Sequence, residues 1–487
     1  MKRTTGALLL IFGALPAAAP PPAPAPLQQR VEAALAEAAP GTRFGLLVVD
    51  EQGREIVALA PDGRFVPAST TKMFTTAAAF WRLGSLDMPD AAAGASVRIE
   101  GGSGDGADVV LEGHGDARLS SDADCLQDCL AALADAVAAK TRKVRNVIGD
   151  DRWFPDDRWS PGMSWNNIPT RSGTAVSALT LDDNELRIIV SPGTSGAPPS
   201  VAGSGYYAID NRAVTGAPGG ESRLSIDRLP GETVLKLTGS IPAGGKPETL
   251  RLGIDDPAHY AAWRLKALLE ARGVKVSGTV SARHRPPAPE DDPAVRGTAP
   301  PVRVPEGPAL ARAVPRPLRE DLALTNKVSQ NLHAELLLRR LGRVGGTGSI
   351  ADGQAAVRAM LAAAGARRTG YDFSDGSGMS TYNRVSPRTA VAVLRWIAQQ
   401  AWGAGWRATL PVAGVDGTLA GRFRGGPLER RLFAKTGSLN AASGLAGYMV
   451  ARSGRTLVFA AYANDMPEGV SATGAVDAAL ALIAAEN

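Results

Sequence analysis

The segment 67–72 (PASTTK) places a serine three residues before a lysine and runs into the apolar segment 73–80. The apolar residues predict a buried helix, and residues three apart share a helix face, so the amine of Lys72 can reach the hydroxyl of Ser69. The helix N-terminus favours negative charge developing on that oxygen. This spacing predicts a serine nucleophile served by a lysine base. The alternative is a helix-starting serine beside a solvated lysine.

A second group of polar side chains lies in the segment 325–332 (TNKVSQNL). Ser329 and Asn331 project to one side of a predicted loop that leads into a helix. The same S-x-N pattern also occurs at 164–166 and 438–440, so order and context must select among the three. The alternative role for Ser329 and Asn331 is helix capping.

A third group, Lys435, Thr436, Gly437 and Ser438, lies at the end of a predicted strand. Gly437 would let a substrate backbone approach the strand closely. Lys435 supplies positive charge, and the hydroxyls of Thr436 and Ser438 can bind a carboxylate. These residues predict a substrate-binding strand, and the alternative is an ordinary strand end.

The two ends of the chain carry the elements that must position these groups. A predicted hairpin lies near the N-terminus and three predicted antiparallel strands near the C-terminus, at 42–50, 55–59, 431–435, 445–452 and 456–463. We expect these strands to join one sheet, which makes the middle of the chain an insertion. The predicted domains are 27–90 plus 300–487, and an inserted region at 91–299 with a nested β-rich subdomain at 191–247.

The inserted region mixes helix and strand patterns. The patterns predict helices at 122–139 and 257–273, and strands at 96–112, 144–150, 176–190 and 274–282. The proline-rich segment 284–317 predicts a linker or an extended crossing segment. Further helices are expected at 318–341, 350–365, 387–401 and 471–485.

The N-terminus has the pattern of an export signal. Basic residues precede the apolar run 6–15 and the alanines 17–19, and a Pro/Ala tether continues to Pro26. We therefore expect a cleaved signal and tether at 1–26 and a periplasmic protein, with an uncleaved anchor as the alternative. The net charge of +5 is small and scattered. This argues against nucleic acid as a partner but is compatible with peripheral association with an anionic wall or membrane surface.

Two cysteines, Cys125 and Cys129, are the only ones in the chain. In an exported protein this spacing fits a local disulfide, because four residues along a helix bring the Cα atoms within disulfide reach. Two buried free thiols are an equal alternative. The histidines match no zinc-ligand spacing, and we expect neither a metal nor a cofactor.

The three groups occur in the order S-x-x-K, S-x-N and K-T-G, which resembles the signature of penicillin-binding proteins and serine β-lactamases. The large insertion after Ser69 resembles the low-molecular-mass penicillin-binding proteins with D-alanyl-D-alanine carboxypeptidase and endopeptidase activity. So do the segments 176–180 (VSALT), 325–327 (TNK) and 375–380 (DGSGMS). The resemblance implies an α+β fold: a β-lactamase/transpeptidase-like domain, with an antiparallel sheet flanked by helices, carrying a large α/β-plus-β inserted region.

The resemblance also implies a mechanism. Ser69 attacks the carbonyl between two D-alanines, and Lys72, neutral through burial and the charge of Lys435, takes its proton. Ser329 relays the proton to the leaving nitrogen, and Asn331 holds Lys72 and the substrate amide. The N–H groups of Ser69 and Ser438 form the oxyanion hole. The terminal carboxylate is bound by Lys435, Thr436 and Ser438.

The implied partners are peptidoglycan peptides and β-lactam antibiotics. Two departures from the family pattern affect recognition of the peptide: Thr381 replaces a basic residue, and Asn166 and Asn167 lie where an aspartate is usual. A serine β-lactamase and a non-catalytic wall-binding protein of the same fold are the two rival functions. The sequence carries no expectation of oligomeric state.

Overall fold

The computed structural model describes residues 25–101, 106–203 and 205–487. The predicted signal peptide therefore lies almost entirely outside the described residues. The described helices are α1 (Leu27–Ala36), α2 (Lys72–Arg82), α3 (Leu130–Lys140), α4 (Pro257–Ala271), α5 (Pro293–Arg296), α6 (Leu318–Lys327), α7 (Asn331–Gly345), α8 (Ile350–Ala363), α9 (Pro387–Ala398), α10 (Gly403–Arg407) and α11 (Thr473–Glu486). None of them is long and apolar enough to cross a membrane.

The strands are short in the middle of the chain and longer at its ends. They are β1 (Arg43–Val49), β2 (Glu55–Leu59), β3 (Ser96–Glu100), β4 (Ala107–Glu112), β5 (Lys143–Asp150), β6 (Glu185–Ser191), β7 (Ser200–Ala202), β8 (Ala208–Asn211), β9 (Val214–Gly216), β10 (Ser225–Asp227), β11 (Val234–Thr238), β12 (Ser240–Pro242), β13 (Glu248–Gly253), β14 (Lys275–Val276), β15 (Val280–Arg283), β16 (Ala311–Arg312), β17 (Tyr371–Asp372), β18 (Arg384–Val385), β19 (Leu432–Leu439), β20 (Ala442–Val450) and β21 (Thr456–Asn464).

One antiparallel sheet unites the two ends of the chain, as the strand pattern predicted. Its order is β19-β20-β21-β1-β2, with β1 paired to β21 along its whole length. Side chains alternate between the two faces of each strand. Leu46 and Val48 pack with α1 and α11, whereas Leu47 and Val49 pack with α2, α7, α8 and α9. The sheet is therefore covered by helices on both faces, and the α+β fold is confirmed.

The inserted region has its own core, built on a mixed sheet of order β14-β5-β4-β3-β16, with β15 also paired to β5. Helices α3 and α4 pack on this sheet through Leu133, Val137, Leu265 and Leu269. The β-rich segment around 191–247 adds several small sheets of two or three strands. β16 pairs with β3 of the inserted sheet, so the chain is still part of the inserted region at Arg312. We therefore propose that the inserted region ends between Arg312 and Leu318, beyond the predicted end at 299.

Three local predictions were wrong in detail. The helix expected at 122–139 begins only at Leu130, and the preceding segment is a loop that contains a left-handed residue, Asp128, with φ of 63°. The helix expected at 318–341 is interrupted, because Ser329 also has a left-handed φ, of 65°. No strand covers 176–184, and the strand found within the expected range starts at Glu185.

The cysteine pair forms a disulfide. Cys125 and Cys129 close the loop before α3, with Cα atoms 5.8 Å apart. The disulfide alternative is thus confirmed, although the pair bridges a loop and not successive turns of a helix.

Candidate active site

Ser69 lies in a short 3-10 turn, Ala68–Thr71, and α2 begins directly after it at Lys72. Lys72 is completely buried, whereas Ser69 is partly exposed. The Nζ atom of Lys72 lies 2.8 Å from Ser69 Oγ, 2.7 Å from Asn331 Oδ1 and 2.6 Å from the carbonyl oxygen of Ser377. The predicted serine–lysine contact is therefore present in the structure.

These three contacts suit a neutral lysine amine. A neutral amine has two N–H donors and one lone pair. The oxygens of Asn331 and Ser377 only accept hydrogen bonds, so they take up both donors. The lone pair is then left to face the hydroxyl of Ser69, which is the arrangement that a general base requires.

Burial supplies that neutral form. Desolvation lowers the pKa of Lys72 to about 7, although the carboxylates of Asp375 and Glu335 act in the opposite direction. The charge of Lys435 was also expected to contribute to this shift. Burial, together with the charge of nearby Lys72, also holds the pKa of Lys435 well below its usual range. We attribute the low pKa of Lys72 to burial.

Ser329 and Asn331 lie at the break between α6 and α7. The left-handed conformation of Ser329 ends α6, and the side chain of Gln330 accepts a hydrogen bond from Leu332 N at the start of α7. The Oγ atom of Ser329 lies 2.9 Å from Lys435 Nζ. Of the three S-x-N sequences, this is the one whose serine and asparagine both contact a lysine of the other two groups.

The K-T-G residues lie inside β19, the edge strand beside the Ser69 turn. Lys435 is completely buried, and its Nζ atom also lies 2.9 Å from the carbonyl oxygen of Thr436. Thr436 donates to Thr418 Oγ1 at 2.7 Å. A Cβ atom on Gly437 would lie 2.6 Å from the carbonyl oxygen of Pro67, so only glycine lets the strand and the turn approach this closely. Ser438 is exposed.

The sequence patterns did not predict a role for two buried carboxylates beside the site. Glu335 and Asp375 are buried and organise the 375–380 loop: Glu335 accepts from the N–H groups of Gly376 and Ser377, and Asp375 from those of Gly378 and Ser380. The loop thereby directs the carbonyl of Ser377 at Lys72. The available signal for Glu335 was its position four residues after Asn331 on the same helix face.

The inserted region also contributes to the site. The Nδ2 atom of Asn331 donates to the carbonyl oxygen of Ser172 at 2.9 Å. A small apolar cluster joins the two parts of the chain beside this contact, with Leu332 and Leu336 of α7 packed against Ala117, Phe154, Val176 and Ala178.

One group of side chains in the described residues brings potential metal ligands together: Asp151, Asp156 and His284. The guanidinium of Arg158 already lies among them, at 2.7 Å from Asp156 Oδ1 and 3.1 Å from His284 Nε2. The positive charge of Arg158 neutralises these carboxylates in place of a metal ion, so we assign the group as an ion-paired cluster.

The fold and the site place a serine hydroxyl 2.8 Å from a buried lysine amine, an arrangement suited to acyl transfer. The profile of the D-Ala-D-Ala carboxypeptidase 3 (S13) family matches residues 27–487. A D-alanyl-D-alanine carboxypeptidase of Actinomadura sp. (strain R39) is 34% identical over 444 residues, which are 87% of this chain and 78% of the relative. The D-alanyl-D-alanine carboxypeptidase DacB of Haemophilus influenzae is 26% identical over 450 residues, which are 88% of this chain and 87% of the relative.

The fold is also similar to a solved structure. The crystal structure of penicillin binding protein 4 (dacB) from Haemophilus influenzae matches with a TM-score of 0.78 at 22% identity, over 92% of this chain and 97% of that chain. The chain belongs to the D-Ala-D-Ala carboxypeptidase 3 (S13) family. The family match confirms the predicted resemblance and the predicted function as a serine DD-peptidase. It does not favour the two rival functions, a β-lactamase and a non-catalytic wall-binding protein.

Proposed function

We propose that Ser69 is the nucleophile of this serine DD-peptidase and forms an acyl-enzyme with the penultimate D-alanine of a peptidoglycan stem peptide. The observation that carries the proposal is the amine of Lys72, buried and held 2.8 Å from Ser69 Oγ by two acceptors. An unassisted serine hydroxyl is a weak nucleophile and needs an adjacent base of this kind.

In acylation, an ester bond to Ser69 replaces the peptide bond, and one proton passes from Ser69 to the leaving nitrogen. Ser69 Oγ bonds to the carbonyl carbon while its proton passes to Lys72 Nζ. The C–N bond to the terminal D-alanine then breaks, and the leaving nitrogen takes a proton through the hydroxyl of Ser329. The Nζ atom of Lys435 donates to Ser329 Oγ at 2.9 Å, which supports this role because it orients the hydroxyl for proton transfer. Water finally attacks the ester and restores Ser69.

The strand beside the nucleophile would bind the substrate. The N–H groups of Ser69 and Ser438 stabilise the oxyanion, a contribution typically worth about 3 kcal/mol per donor. The C-terminal carboxylate lies near Lys435, Thr436 and Ser438. The close approach of β19 to the Ser69 turn supports this arrangement, because the Cβ position of Gly437, next to Ser438, lies 3.1 Å from Ser69 N.

We further propose endopeptidase activity on D-alanyl crosslinks. The reacting bond is the same in both substrates: a D-alanyl carbonyl joined to an amine, which is either the terminal D-alanine or the side chain of a second peptide. The chemistry of Ser69, Lys72 and Ser329 therefore serves both reactions. Export to the periplasm, where this polymer lies, follows from the signal-like segment 6–19.

The test is an assay of purified mature protein on two substrates: a D-Ala-D-Ala-terminated stem peptide and a crosslinked muropeptide dimer. We expect release of D-alanine from the first and of monomers from the second, with both activities lost in Ser69→Ala. Lys246→Ala, which changes an exposed lysine, is the matched control and should retain both. Release of D-alanine without monomers would restrict the function to a carboxypeptidase, and activity of Ser69→Ala would contradict the proposed nucleophile.

A further inference from the structure

The inserted region holds the first turn of α7 at two points. On one side of the turn, the carbonyl oxygen of Ser172 accepts from Asn331 Nδ2 at 2.9 Å. On the other side, Asp183 Oδ1 lies 2.8 Å from His333 Nε2. Residues two apart on a helix project in nearly opposite directions, so these two contacts restrain the turn from opposite sides.

His333 joins three separate parts of the chain. Its side chain is completely buried, and its Nδ1 atom contacts the carboxylate of Asp321 on α6. Both ring nitrogens therefore face carboxylates, which requires a ring that donates from both nitrogens, the imidazolium. The two carboxylates raise the pKa of His333 to about 10 in spite of its burial, so the ring is charged at neutral pH.

Asp183 is held firmly in place by its own surroundings. It is the middle of three successive left-handed residues, with φ values of 52°, 57° and 50° at Asp182, Asp183 and Asn184. Such a run of non-glycine residues persists only where the surroundings impose it. Here Asp182 accepts from Ser121 N at 2.8 Å, and Asn184 donates to the carbonyl oxygen of Ala175 at 3.0 Å.

We propose that Asp183 is a positioning residue for acylation: through His333 it fixes the first turn of α7, and thereby the distance from Asn331 Oδ1 to Lys72 Nζ. The inserted region would then be part of the machinery that keeps the base in place. This inference rests on the proposed function of Ser69 and Lys72. Asp183 touches neither substrate nor reacting atoms, so its effect must pass through Asn331.

The test measures the rate of acylation by benzylpenicillin in a double-mutant cycle. Asp183→Ala should slow the limiting acylation step about tenfold, the scale of a small misplacement of a catalytic group, with little change in the apparent dissociation constant. In an Asn331→Ala background the same substitution should change the rate less than about twofold, because the group through which it acts is already absent.

Two further variants make the test specific. Asp183→Asn keeps the acceptor and tolerates the left-handed backbone, so it should restore most of the rate. Asp90→Ala removes a carboxylate that contacts Arg340 at the far end of the same helix and should acylate like the wild type. If Asp183→Ala does not fold, His333→Gln replaces it in the same cycle. This variant can keep only one of the two hydrogen bonds that His333 makes to Asp183 and Asp321.

The outcomes separate the two proposals. Equal slowing by Asp183→Ala in both backgrounds, or a folded Asp183→Ala protein that acylates at the wild-type rate, would overturn the positioning role. Absence of acylation in the wild-type protein would instead overturn the proposed function of Ser69.

Discussion

The Oε1 atom of Glu335 lies 2.9 Å from the backbone nitrogen of Ser377, whose carbonyl oxygen lies 2.6 Å from Lys72 Nζ. Glu335 follows Asn331 by four residues, so both side chains lie on one face of α7. That single helix face supplies one acceptor to the lysine directly and positions the other through the 375–380 loop. The protonation state of Lys72 therefore depends on a helix that does not carry Ser69.

The first prediction concerns the pH dependence of acylation. Lys72 must be neutral to accept a proton, and its pKa is lowered to about 7. Below that pH the ammonium form dominates, so the acylation rate constant should fall about tenfold for each further unit of pH, and above it the rate should level off. Stopped-flow acylation by a chromogenic cephalosporin measures this profile. A midpoint near the usual lysine pKa would contradict a base neutralised by burial.

Glu335 provides a test with two variants. Its negative charge raises the pKa of Lys72. Glu335→Gln keeps an oxygen for the two loop N–H groups but removes the charge, so the acidic limb of the profile should move to lower pH while the plateau rate is largely kept. Glu335→Ala also releases the loop, and its plateau should fall at least about tenfold. An unmoved limb in Glu335→Gln would show that the carboxylate does not act on the base.

Gly378 should be irreplaceable because of its close contact with Ala68, and Gly365 provides a control for backbone strain alone. Its φ of +90° is left-handed, and a Cβ atom would overlap the carbonyl oxygen of Ala68, next to the nucleophile. Gly365 has a φ of +72° but no atom within 4 Å of its Cβ position. Both alanine variants should lose about 1 kcal/mol of stability through backbone strain. Only Gly378→Ala should also lose most of its acylation rate, and equal activity of the two folded variants would contradict this close packing.

The disulfide should stabilise the protein without affecting its chemistry. Closing so short a loop is worth about 2 kcal/mol on the chain-entropy model. Replacing Cys125 and Cys129 together by serine should lower the midpoint of thermal unfolding and leave the acylation rate unchanged, because the closed loop 125–129 does not include Ser121, which binds Asp182. Reductant should lower the midpoint of the wild type in the same way and leave the variant unaffected. A loss of acylation would show that this loop reaches the site.

The sequence predicted the residues whose chemistry depends on short spacing. Ser69 and Lys72, or Lys435 and Gly437, lie on single elements, and their patterns are readable without knowing the fold. The antiparallel sheet was predictable because alternating apolar residues mark strands at both ends of the chain. The roles of these residues stay predictions until the variants are measured.

The remaining features depend on contacts between distant segments. The spacing from Asn331 places Glu335 on the same face of α7, but it does not reveal which distant loop Glu335 binds. No local pattern marks Asp183 as the partner of His333. The helix predicted at 122–139 failed because the left-handed Asp128 and the disulfide override a helical composition. The low pKa of Lys72 was predicted from burial and from the charge of Lys435 together, and burial is the leading cause in the structure.

The central claim is that Ser69 is acylated. Intact-protein mass spectrometry after brief and long incubation with benzylpenicillin tests it most directly, with the adduct located by peptide mapping and Ser69→Ala as the control. We predict one stable adduct on Ser69 in the wild type and none in the variant, whose unfolding transition should be unchanged. An adduct on folded Ser69→Ala, or none on the folded wild type, would contradict the account.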